Sequence, residues 1–162
     1  YNIIGESAFV GCTSLESITI PASVRYMYNG TFDNCPNLTI RCFAGTTAHL
    51  YAKANATPYT PLDTALPTAD FTTPAMLRTI EAEAFSGVPA RVVRLAATTT
   101  AIGSRAFANC PNLVCVYIPA GCTNIATDAF SGVENLVIFT PVGSYAEYYA
   151  SRFGYECVNV TN

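Results

Sequence analysis

The sequence predicts an α/β solenoid in which short parallel strands stack rung on rung and a short helix closes each block of rungs. Three observations carry this. Phenylalanine recurs at Phe9, Phe32, Phe85, Phe107 and Phe130, with spacings of 23, 53, 22 and 23 residues. Two places after each stands glycine or asparagine: Gly11, Asn34, Gly87, Asn109 and Gly132. A short alternation of apolar and polar side chains then follows. Self-similarity at such a period marks repeat architectures, in which no single unit can bury its own apolar face.

Each slot of the repeat has a physical reading. Five residues before the anchor stand Ile4, Met27, Ile80, Ile102 and Ile125; one before it stand the small residues Ala8, Thr31, Ala84, Ala106 and Ala129. This pattern predicts one turn of helix around each anchor, carrying these groups inward. Glycine and asparagine enter the left-handed region at low cost, so their column predicts where that turn stops. The alternating segments place Ile18/Ile20, Ile40/Cys42, Val93/Leu95, Val116/Ile118 and Ile138/Thr140 on the buried face of one strand per repeat, because side chains alternate across a strand. Pro21 and Pro119 end two of these strands, since proline donates nothing to a ladder.

A longer duplication lies above the repeat. Shifted by 98 residues, 17 of the 59 positions in 1–59 match 99–157 without a gap. Each copy ends in a predicted helix, capped by Thr46 or Ser144. Ser144-Tyr-Ala-Glu147 is a capping box and Gly154 a C-terminal stop. The predicted organisation is therefore a first block over 1–62 with two repeats, a Pro/Thr-rich linker over 63–70, and a second block over 71–162 with three. A closing helix and strand end each block.

Composition narrows the function. Of 162 residues, 51% are apolar and only 12% charged, about half the usual charged share. The net charge of −3 leaves no electrostatic footprint for nucleic acid. No apolar run nears the roughly 18–20 residues that cross a bilayer, so no membrane insertion is expected of this chain. It opens mid-pattern at Tyr1 and reads as a piece of a longer protein.

The segments "IGESAFVGCTSLESITIP" (Ile4–Pro21) and "IGSRAFANCPNLVCVYIP" (Ile102–Pro119) resemble the BspA-type leucine-rich repeat, whose consensus is close to I-G-x-x-A-F-x-x-C-x-x-L-x-x-I-x-I-P. The tail G-S-x-A-E-x-Y-A is similar to segments that close repeat blocks in that family. The third repeat departs from the pattern: "SGVPARVVRL" lacks the leucine and the proline. The resemblance implies a leucine-rich-repeat solenoid from a cell-surface or extracellular bacterial protein, with adhesion or binding to a host extracellular-matrix protein or glycan. It implies no catalytic residues and no cofactor.

The residues support the same classes. Seven cysteines cannot all pair with one another. Cys12, Cys35 and Cys110 share a slot that Val88 and Val133 fill in the other repeats, so the expected role is small apolar packing. Cys42 reads likewise. Cys115 falls on the outward strand face, where its thiol is expected to be reachable; Cys122 and Cys157 are less constrained, and a Cys115–Cys122 bridge is one alternative. His49, aligned with Glu147, is expected on a solvated helix face, and Glu81/Glu83 on a surface turn. No metal-ligand spacing, nucleophile motif or phosphate loop is present, which argues against an enzyme.

The candidate binding face is the outward side of the second block's strands: Val92, Arg94, Cys115, Tyr117, Val137 and Phe139. Aromatic residues and arginine are favoured at interface centres. The first block's counterparts, Ser17/Thr19 and Thr39/Arg41, are polar. The alternative is that the apolar groups are covered, the chain then serving as a structural spacer. Of Tyr145, Tyr148 and Tyr149, at least one is expected to close the open end of the core.

Overall fold

Each repeat folds into one rung: a two-residue strand, a tight turn centred on the anchor phenylalanine, and a longer strand. The computed structural model describes residues 2–62 and 69–160, in two compact units, Tyr1–Asp63 and Thr64–Asn162. Residues 63–68, most of the predicted linker, lie outside the described residues. The first unit contains β1 (Ile3–Ile4), β2 (Ser17–Thr19), β3 (Tyr26–Met27), β4 (Thr39–Cys42), α1 (Thr47–Ala54) and β5 (Tyr59–Pro61). The second contains β6 (Phe71–Thr72), β7 (Thr79–Ile80), β8 (Val92–Arg94), β9 (Ala101–Ile102), β10 (Cys115–Tyr117), β11 (Asn124–Ile125) and β12 (Val137–Pro141). It closes with α2 (Tyr145–Phe153) and β13 (Glu156–Val160).

Every strand pair among the described residues is parallel. The first unit has sheets β1-β3 and β2-β4-β5; the second has β7-β9-β11 and β6-β8-β10-β12-β13. The α/β solenoid class thus stands. Each repeat contributes two strands, however, where the sequence predicted one. The added strand carries the isoleucine slot, as in the register Ile80↔Ile102.

The anchor segment is not a turn of helix. In the first rung the amides of Ala8, Val10 and Cys12 bond back three residues, to Gly5, Ser7 and Phe9. The amides between them, Phe9 and Gly11, reach the next rung at Thr31 O and Asp33 O, 2.9 and 2.8 Å away. The same alternation recurs in the second unit: Phe85 and Gly87 donate to Ala106 and Ala108, and Phe107 and Asn109 donate to Ala129 and Ser131. In an α-helix each amide past the first turn bonds four residues back; here alternate amides bond three residues back and the rest are aimed across to the next rung. All five glycine/asparagine positions are left-handed, with φ between 52° at Asn109 and 78° at Gly132. A second left-handed column lies two residues before the anchor, at Ser7, Gly30, Glu83 and Arg105. The sequence did not announce it, because ordinary side chains occupy three of these four places.

Stacked turns stack their rings. Phe9 lies on Phe32 at 5.1 Å; Phe85, Phe107 and Phe130 form a second ladder at 5.4 and 5.5 Å. Three of the ladder ends are closed edge-on: Phe32 by Tyr51, Phe85 by Phe71, and Phe130 by Tyr149 and Tyr155. Around them the predicted inward strand residues are buried, save Ile18, which is half-buried.

The closing helices begin as predicted. Thr46 Oγ1 accepts from His49 N, and Ser144 Oγ from Glu147 N; Gly154 ends α2 at φ 74°. Glu147 Oε2 reaches back to Gly143 N at 2.6 Å, completing the capping box one residue early. His49 corrects the expectation of a solvated face: it is buried. Its Nδ1 accepts from Gly45 N at 3.0 Å, the bond Glu147 makes in the other copy, and its ring meets Tyr59 edge-on at 4.9 Å.

Because Phe107 is flanked on both faces and wholly buried, Phe107→Ala is expected to destabilise the second unit by about 3–5 kcal/mol. Ser144→Ala should cost about 1 kcal/mol. Urea denaturation followed by amide signals of the second unit checks both.

Candidate binding face

The parallel register lays the outward residues of the second unit in two rows. One runs Val92, Cys115, Val137, Glu156, and the other Thr72, Arg94, Tyr117, Phe139, Val158. Neighbours in a row lie about 4.8 Å apart, so a residue on a central strand is flanked from both sides. This corrects the expected face. Val92, Cys115, Val137 and Phe139 are buried, Cys115, Val137 and Phe139 completely, although none belongs to the main core cluster. Phe139 sits between Tyr117 and Val158, and Val137 between Cys115 and Glu156. Only Arg94 is exposed and Tyr117 half-buried.

Those two remain together. The guanidinium carbon of Arg94 lies 4.6 Å from the centre of the Tyr117 ring, a cation–π contact. They edge a depression of about 320 Å³ whose walls include Thr72, Leu95, Ala96 and Thr98. Its hydroxyls are partly committed: Thr73 Oγ1 accepts from Ala96 N at 2.8 Å, and Thr98 Oγ1 donates to Ala75 O at 2.7 Å. The arginine is therefore the prominent polar group offered outward. The sequence reading missed the wall supplied by β6. The signal was there: Phe71-Thr72-Thr73-Pro74 repeats the pattern of Ile18-Thr19-Ile20-Pro21. The first unit's outward positions are polar as expected, with Ser17, Thr19 and Arg41 exposed.

The thiols divide by environment. Burial pushes Cys115 from its ordinary 9.0 up to about 12, with Arg91 partly opposing and Glu156 assisting. Burial likewise raises Cys122 and Cys157 to about 11. Cys115 is thus not the reachable thiol expected. A Cys115–Cys122 bridge is also ruled out, because Cys122 belongs to the core cluster on the opposite side of the sheet. Cys110 packs in the core as predicted, and Cys35 lies half-buried against the first unit's core, but Cys12 is exposed and outside it, which corrects the packing role expected of it. On the closing helix Tyr149 is buried against Phe130, its hydroxyl donating to Ala126 O at 3.1 Å, while Tyr145 and Tyr148 are exposed. Glu81 and Glu83 are exposed on their turn, Glu83 within 3.8 Å of Arg105. Among the described residues no group of three His, Cys, Asp or Glu side chains could hold a metal ion, and no helix is long and apolar enough to cross a membrane.

The family described as "BspA type leucine rich repeat region" matches residues 1–54 and 64–162, in six copies. The chain belongs to this family. Six copies are one more than the five anchors. Among solved structures it is similar to a Treponema pallidum (T. pallidum) leucine-rich repeat protein, at 20% identity and a TM-score of 0.30, over 98% of this chain and 80% of that one. No curated protein matches it significantly. Leucine-rich-repeat domains are generally protein-interaction modules and generally non-enzymatic, and BspA-type members are typically found on bacterial surface proteins.

A thiol that holds its proton more tightly in the folded chain stabilises the fold fully below its unfolded pKa, and that contribution is lost as pH rises through the folded value. The second unit should therefore lose stability between pH 9.0 and about 12. Cys115→Val should lessen the fall. Urea midpoints measured from about pH 8 to about pH 11 test this.

Proposed function

We propose that this chain is a non-catalytic interaction module of a larger surface or secreted bacterial protein, binding a host extracellular-matrix protein or a glycan through the Arg94–Tyr117 patch of its second unit. The observation that supports this reading is the exposed guanidinium held over the Tyr117 ring at the mouth of a depression. An arginine already held on a ring loses less freedom on meeting a ligand, and its fork of donors suits carboxylate or amide oxygens. The apolar walls beside it add contact area without further charge.

The burial of Val92, Cys115, Val137 and Phe139 favours a second reading for the rest of that face, a structural spacer that displays other domains. The two readings divide on one experiment. The chain is screened against matrix proteins and glycan arrays, then again as Arg94→Ala and Tyr117→Ala. Binding weakened at least about tenfold by either substitution, the loss of about 1.4 kcal/mol, supports the module. Equal binding by both variants overturns the proposed patch. An empty screen leaves the spacer as the function of this chain.

A further inference from the structure

We propose that Cys12 and Cys35 form a thiol pair that closes into a disulfide across the first two rungs when the chain meets a low-molecular-weight disulfide. The two occupy the same slot, three residues after Phe9 and Phe32. Equivalent slots on adjacent parallel rungs lie about 4.8 Å apart, within the roughly 4.4–6.8 Å over which disulfides join Cα atoms. The 5.1 Å spacing of the two phenylalanine rings agrees.

The second thiol already leans toward the first rung. Cys35 Sγ donates to Phe9 O at 3.0 Å, and the Cys12 amide reaches the same carbonyl at 3.2 Å. Cys110 repeats this geometry: its Sγ lies 3.3 Å from Phe85 O, against the backbone of Gly87 and Val88. There the neighbouring rungs carry Val88 and Val133 in the slot, so Cys110 has no thiol facing it. Only in the first unit does the slot hold cysteine on consecutive rungs. Cys12 is exposed and Cys35 half-buried, which suits an attacking thiol and a resolving one.

With oxidised glutathione, the Cys12 thiolate attacks one sulfur and expels a glutathione thiolate, leaving a mixed disulfide. The Cys35 thiolate then attacks the Cys12 sulfur and expels the second glutathione. One S–S bond forms and one breaks; two protein thiols are oxidised and one glutathione disulfide is reduced to two thiols.

The test incubates the intact chain with oxidised glutathione at about pH 8.5, near the ordinary thiol pKa, followed by thiol titration, intact mass and peptide mapping. Two of the seven thiols should be lost, the mass should fall by two hydrogens, and one linked peptide should join Cys12 to Cys35. Thermal unfolding of the first unit should shift upward by at least about 10 °C. Valine fills this slot in two other repeats, so valine variants keep the packing. Cys35→Val should halt at a glutathione adduct on Cys12, Cys12→Val should give neither adduct nor bridge, and Cys110→Val should behave as the parent. A parent chain that stays reduced, keeps a stable adduct on Cys12, or bridges any other pair overturns the proposal.

Discussion

The architecture depends on how the anchor turn divides its amides. Alternate amides bond within the turn and the rest bond to the next rung. A buried unpaired amide costs free energy comparable to a lost hydrogen bond, so a rung can neither slip by one residue nor drop out without orphaning several at once. The left-handed residues, the ring ladders and the parallel strands on either side of the turn all inherit this register. The phenylalanines sit 5.1–5.5 Å apart because the backbones that carry them are bonded at that spacing.

A stack held this way has ends, and the ends need cover. Aromatic side chains supply it by meeting the last ring edge-on, as Tyr51, Phe71, Tyr149 and Tyr155 do. Two of these belong to closing helices, whose own starts are secured by the same bond made by different chemistry: His49 Nδ1 to Gly45 N, and Glu147 Oε2 to Gly143 N. The duplication has preserved a geometric role while exchanging the residue that fills it.

The surface available for recognition is what this construction leaves over. In the first unit the outward strand positions are short or polar and mostly exposed. In the second they are apolar and mostly buried, so the outward polar surface narrows to β8 and β10, where Arg94 lies over Tyr117. Stacking also brings like residues into rows, so that Cys12 and Cys35, 23 positions apart in sequence, occupy the same slot on consecutive rungs.

Much of this was legible in the residues. The spacing of five phenylalanines, the glycine/asparagine column and the strand alternation determined a parallel α/β solenoid, one of its two left-handed columns, most of the buried strand residues and the capped helices. These follow from local rules of chirality, periodicity and capping that act within a few residues. The structure alone decided that the anchor turn is not helical, that each repeat holds two strands, that His49 is buried, and that four of six outward residues are covered. It alone assembled the depression beside Tyr117 from β6, β8 and β10. Each of these depends on what the neighbouring rung supplies, as an amide acceptor, a flanking side chain or a wall, and a single repeat read in isolation contains none of it.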